Sequence, residues 1–116
     1  MKSRWRKVLL VILGSSIVGV SVLLVDVSAA TRAEKREEIQ SQLKNAATAE
    51  ESFRTRNESY TRVLNNLKAE GFQPNRRVSV LIARAGEGCC IEAQHTGLGE
   101  IWRYSSNVGR PLRGRC

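Results

Sequence analysis

The chain has 116 residues, 19 Lys plus Arg against 11 Asp plus Glu, three Cys and a single His, a composition with room for one small domain and none for a multi-domain enzyme. Aromatic content is 5% and only one imidazole is present, so the side chains that usually run acid–base or metal chemistry are scarce; no enzymatic activity and no cofactor are expected. The formal net charge of +8 would by itself suggest a nucleic-acid partner, but its placement argues otherwise.

Lys2, Arg4, Arg6 and Lys7 make residues 1–7 a basic tip, and residues 8–25 follow without a charge. As a helix those 18 residues span about 27 Å at ~1.5 Å per residue, enough to cross a hydrocarbon core. Helix is the form required there, because lipid offers backbone amides no partners. Basic residues before the run and Asp26 after it predict a single-pass anchor with a cytoplasmic N-terminus and an exported remainder. Beyond the anchor, 15 basic residues face 11 acidic ones, and the net of +4 is spread over the rest of the chain without a block of like charge. The competing reading is a removable signal peptide cut between Ala29 and Ala30. Against it, the apolar run exceeds a usual signal core and helical sequence continues past the cleavage site.

Residues 26–56 read as a continuation of the same helix, with Ile39, Leu43, Ala46, Ala47, Ala49, Glu50 and Phe53 at three- and four-residue steps and no Pro or Gly to interrupt them. From Val8 to Arg56 such a rod would measure roughly 70 Å. Glu34, Glu37 and Glu38 alternate with Arg32, Lys35 and Arg36, which reads as solvated pairing along the helix surface. Residues 57–116 then form a head. Thr61 is the expected N-cap of a short second helix with Val63, Leu64 and Leu67 inward; Gly71 ends it and Pro74 marks the break.

Residues 77–84, 89–94 and 100–105 carry strand composition and are separated by Gly-containing turns, so three sequential antiparallel strands precede a polar tail. The expected fold class is α+β, one long helix on a small antiparallel sheet. Phe53, Leu64, Leu67, Val78, Val80, Ile82, Ile91 and Trp102 are the expected core.

All three Cys lie in the part assigned to an oxidising exterior, so a disulfide is expected. Neighbours on a strand point to opposite faces; only one of Cys89 and Cys90 can therefore face Cys116, leaving the other as a core residue or free thiol, and periodicity alone leaves that choice open. Three Cys plus His95 suffice for zinc by count, yet the adjacent pair lacks the gap two thiolates need to share one ion, and no metal is expected. Glu92, His95 and Glu100 near strand ends could be assembled into an acid–base set, but His95 in a Thr-Gly-Leu-Gly turn reads as an ordinary exposed polar residue. The alternative function is a solitary anchored or secreted binding module that contacts DNA or an acidic surface through Arg76, Arg77, Arg84, Arg103, Arg110, Arg113 and Arg115, and scattered Arg on a solvated surface is the simpler account of those residues. Asn57-Glu58-Ser59 is a glycosylation sequon by pattern.

Ala49, Phe53, Asn57, Tyr60, Thr61, Leu64, Leu67, Gly71 and Phe72, followed by Cys90-Ile91-Glu92-Ala93, Trp102-Arg103-Tyr104 and Cys116, stand in an order that resembles the globular half of bacterial type IV pilins and type II secretion pseudopilins, from about Leu43 to Cys116. The resemblance implies a disulfide between Cys90 and Cys116 and a structural subunit of the bacterial inner membrane. Such a subunit assembles with copies or relatives of itself through its N-terminal helix and enters an extracellular filament. It stops at the N-terminus. The family's processing site, a Gly followed by an aromatic or Met residue and Thr-Leu-Ile-Glu, has no counterpart: Gly14 and Gly19 have Gly19 and Leu24 in the fifth place, and no acid occurs between Lys7 and Asp26. The expectation is therefore an unprocessed, anchored relative.

Overall fold

The computed structural model describes the backbone of residues 17–116, with side chains from residue 31 on. It divides the chain into two compact units, 1–33 and 34–116. Of the first unit the structure describes helical backbone from Ile17. The basic tip and positions 8–16 of the expected membrane segment lie outside the described residues, and among the described residues no helix is long and apolar enough to cross a membrane. Helix α1 runs Ile17–Asn57, so the Ala29–Ala30 peptide is helical.

The second unit is α+β. After α1 come α2 (Leu64–Ala69) and strands β1 (Val78–Arg84), β2 (Cys90–His95), β3 (Ile101–Ser105) and β4 (Pro111–Arg113), all antiparallel in the order β1-β2-β3-β4. The sheet thus has four strands where composition indicates three. Residues 111–113 read as polar tail because a three-residue strand opening on Pro has almost no composition of its own. Proline is tolerated there because β4 is an edge strand with Pro111 at its first position.

One face of the sheet buries against α1. Cross-strand pairs Val78 with His95, Val80 with Ala93 and Ile82 with Ile91 share that face, joined by Trp102 opposite Ala93 and Tyr104 opposite Ile91. Ile39, Leu43, Ala46 and Ala49 of α1 meet Val78, Ile82, Ile91 and Ala93 in a core completed by Leu67 and Phe72. Leu64, Val80 and Trp102 sit half-buried at its margin. Phe53 is the exception among the expected core residues: it is half-buried like those three but stands outside the cluster, and the aromatic ring in the core is that of Phe72, 3% exposed. Phe53 lies one turn beyond the last core position of α1, where the 58–63 loop rather than the sheet covers the helix.

Helix ends explain two further departures. Thr61 does not cap α2. Its hydroxyl oxygen accepts the Val63 N–H at 3.0 Å and the Asn66 side-chain amide at 2.9 Å, closing a local turn; α2 begins at Leu64 with Val63 in the cap position and no side-chain cap. That register leaves Val63 53% exposed rather than inward. At the far end, the Phe72 N–H donates to the Leu67 carbonyl at 2.9 Å and the Gly71 N–H to the Lys68 carbonyl at 3.0 Å, a Schellman closure. The closure requires the φ of +100° that Gly71 supplies, and it folds Phe72 back onto Leu67 in the core.

Cys90 and Cys116 form a disulfide across a separation of 26 residues, and Cys89 is a buried free thiol. Strand parity places Cys90 with Glu92 and Gln94 on the sheet face away from α1, so the bond pins the end of the chain to the outer face. Closing a loop of that length stabilises a small domain by about 3 kcal/mol. Cys116→Ser should lower the unfolding free energy in urea by about that amount, and the loss should vanish when wild type and variant are compared under full reduction.

Candidate functional site

Where α1 ends, Glu50 and Glu51 meet the 58–63 loop and the β1–β2 turn. Glu50 takes a core position on the apolar stripe and is 0% exposed. One oxygen accepts the Thr61 N–H at 2.9 Å, while Oε2 is buried without a hydrogen-bond partner. Burial pushes the Glu50 carboxyl above its ordinary value, the Thr61 amide opposes that shift, and the neighbouring Glu51 charge adds to it. Beside it the Tyr60 hydroxyl donates to Glu51 at 2.6 Å and the Tyr60 N–H donates to the Gly86 carbonyl at 2.9 Å, tying the loop to both helix and turn. The bond to Glu51, with burial behind it, raises the Tyr60 phenol to about 12. Burial, reinforced by the Glu50 and Glu51 charges, raises the Cys89 thiol to about 11. At neutral pH neither group offers an ionised nucleophile, and the cluster serves as a clamp on the loop.

A second cluster joins α1 to the sheet. Arg36 forks onto Glu100 with contacts of 2.6–3.1 Å, Arg113 reaches the same carboxylate at 3.0 Å, and the Trp102 indole N–H donates to it at 3.1 Å. These partners, Arg36 first, hold the Glu100 carboxyl down at about 2 against the upward push of partial burial. His95 is not the exposed turn residue that its sequence context suggests; it is 5% exposed. Its Nδ1 accepts the Gly97 N–H at 2.9 Å, which places the ring proton of the neutral tautomer on Nε2, 3.2 Å from Glu38. Glu38 also meets Arg77 at 3.6 Å. Arg36 and Glu38 therefore pair across to the sheet and not along the helix surface.

Glu92, His95 and Glu100 are not brought together. Glu92 lies opposite Arg103 on the outer sheet face, His95 is held by Glu38, and Glu100 is saturated by two arginines and Trp102. Cys90 and His95 stand at opposite ends of β2, and Cys90 and Cys116 are bonded to each other. Of the scattered arginines, Arg77 and Arg113 are paired with Glu38 and Glu100, and Arg103 donates to the Arg113 carbonyl at 2.7 Å. Glu50 was readable only as an acid out of place in an apolar stripe; the partners of Glu100 left no sequence signal, being 64 and 13 residues away.

Comparison with protein-family models and with curated proteins finds no match to this chain.

The two carboxyls should act on stability with opposite pH signs. Glu100 is depressed from 4.5 to about 2, so its contribution is present above pH 4.5 and is lost as pH falls toward 2. In Glu100→Gln, urea midpoints should match wild type near pH 2 and fall below it from pH 5 upward. Glu50 is raised above 4.5, so the folded state keeps a proton that the unfolded chain gives up, and stability declines as pH rises from 4.5 through the raised value. Glu50→Gln, which keeps an acceptor for Thr61, should flatten that decline. Glu50→Ala, which removes the acceptor, should cost about 1–3 kcal/mol below pH 4.5, and that cost should shrink as pH rises and wild type loses the proton.

Proposed function

We propose that the chain is a membrane-anchored, pilin-like structural subunit without enzymatic activity, part of a type IV pilus or type II secretion pseudopilus, that packs its N-terminal apolar helix against copies or relatives of itself. The observation that carries the reading is a single long helix laid on an antiparallel sheet whose outer face is pinned to Cys116 by a disulfide, in a chain whose residues 8–25 are uncharged. The charged side chains described above are consumed in holding helix, loop and sheet together, as suits a head whose task is shape. In this reading residues 1–7 stay in the cytoplasm, residues 8–25 span the inner membrane, and the head stands outside, where its disulfide persists.

Expressed with a pilus or pseudopilus assembly machinery, the full chain should fractionate with the membrane, carry an intact Met1 terminus or one shortened only by removal of that Met, and appear in sheared filaments or in cross-links with other subunits. Deleting residues 8–25 should leave a cytoplasmic head absent from every membrane and filament fraction. Recovery of the full chain as a freely soluble product beginning at Ala30, never with assembly partners, would overturn the proposal.

A further inference from the structure

At the end of the sheet near the C-terminus of α1, a cavity of about 530 Å³ opens between the loop before α2, the β1–β2 turn and the end of β3. Its lining includes Arg62, Arg84, Glu87, Cys89, Ser105 and Ser106. We propose that this cavity is a binding site for an oxyanion, a phosphate or carboxylate group of a small solute, gripped between the Arg62 and Arg84 guanidinium groups.

Three observations carry it. First, among the described residues the guanidinium groups of Arg62 and Arg84 have no ion pair or side-chain hydrogen bond, and of the arginines without a carboxylate partner these are the two that line one cavity; Arg36, Arg54, Arg56, Arg77 and Arg113 are each set against a carboxylate. A guanidinium fork matches the planar geometry of an oxyanion, and this cavity's lining holds two that are unspent. Second, β1 is irregular where it enters the cavity. The register shifts between Ile82 and Arg84, so that Ile82 faces Ile91 while Arg84 faces the very next residue, Cys90. Unbroken alternation would carry residue 84 onto the core face with Val80 and Ile82; the extra residue turns Arg84 onto the cavity wall instead. Third, the lining adds a hydroxyl donor and a net positive charge. Ser105 Oγ accepts the Asn107 N–H at 3.3 Å and keeps its own hydrogen to give. The thiol of Cys89 stays uncharged in its buried position, so Glu87 is the one lining carboxylate against two arginines, and the cavity presents a net positive charge to an occupant. The volume is that of a small-molecule pocket.

The test is a titration of the full-length chain in detergent micelles with inorganic phosphate and, separately, citrate, each at ionic strength matched with NaCl, followed by amide chemical shifts of Gly88, Ser105 and Ser106. Saturable shifts confined to this end of the head are expected, with affinity reduced about tenfold or more in Arg62→Ala and in Arg84→Ala and unchanged in Arg110→Ala, whose side chain is outside the cavity. Arg62→Lys and Arg84→Lys, which keep the charge and lose the fork, should weaken binding to a lesser degree; they serve as the readout should an alanine variant fail to fold. Response to phosphate alone assigns a phosphate group, to citrate alone a carboxylate, and competition between the two a shared oxyanion site. Shifts that NaCl reproduces at equal ionic strength, shifts that persist in the Arg62→Ala, Arg84→Ala double variant, or no saturable shift with either probe would overturn the proposal.

Discussion

Ile39, Leu43, Ala46 and Ala49 lie on one face of α1, and the head is arranged around what that stripe can bury. Two of the four are alanines, which let the sheet approach closely but remove little apolar area from water, so each added contact counts for more than it would in a larger domain. Leu67 and Phe72 are drawn over the same stripe by the closure at Gly71, and together with four sheet residues they complete the buried cluster. With a core that small, the remaining specificity has to come from links at its edges.

Those links are polar and sit at both ends of the stripe. Near the start of the head, Arg36 on Glu100 and Glu38 on His95 fix the rotation of α1 against β2 and the loop into β3. Near the end of the helix, Glu50 and Glu51 hold the backbone of Thr61 and the hydroxyl of Tyr60, which keeps the 58–63 loop folded over the helix. On the face away from α1, the Cys90–Cys116 bond ties the last residue of the chain to β2. The three devices differ in physical kind: solvent-edge ion pairing screened by salt, a buried carboxyl whose value depends on its proton, and a covalent loop closure indifferent to both. Acid, salt and reductant should therefore each loosen a different edge of the same core.

Element types were legible because periodicity is a local signal: the three- and four-residue steps of 39–50 and the alternation of 78–82 each report a face that is half in water. Even the inner sheet face follows from parity once the strands are paired. What stayed hidden depended on residues distant in the chain. β4 exists only because β3 offers it an edge, and neither Pro111 nor Leu112 signals that by composition. Thr61 has the chemistry of a cap, but Glu50, eleven residues back, takes its N–H and the loop turns before the helix starts. His95 in a glycine-rich turn reads as exposed until Glu38 from α1 is laid beside it. For the adjacent cysteines, parity says that they part company and nothing more; the sheet face on which Cys116 arrives decides between them. The cavity was the least legible feature of all, because it is assembled from three separate turns and a register shift.

The proposed role puts an unusual demand on this head. Lipid tails are as apolar as Val and Leu, so an uncharged segment such as 8–25 gains little from choosing one axial register with a neighbour over another. A carboxylate inside the membrane would supply that choice through its cost when unpaired, and residues 8–25 contain none. In the proposed role, register between subunits would then fall to surfaces outside the bilayer. The outer sheet face presents Leu81 at 61% exposure, and Val63 and Val108 stand out on the α2 loop and the β3–β4 turn at 53% and 47%. Scattered apolar residues of this kind give shape without strong adhesion, so contacts between heads would be specific only if the heads are rigid. A small core braced at each edge by ion pairs, a buried carboxyl and a disulfide meets that requirement, and it links the chemistry of the fold to the assembly proposed for it.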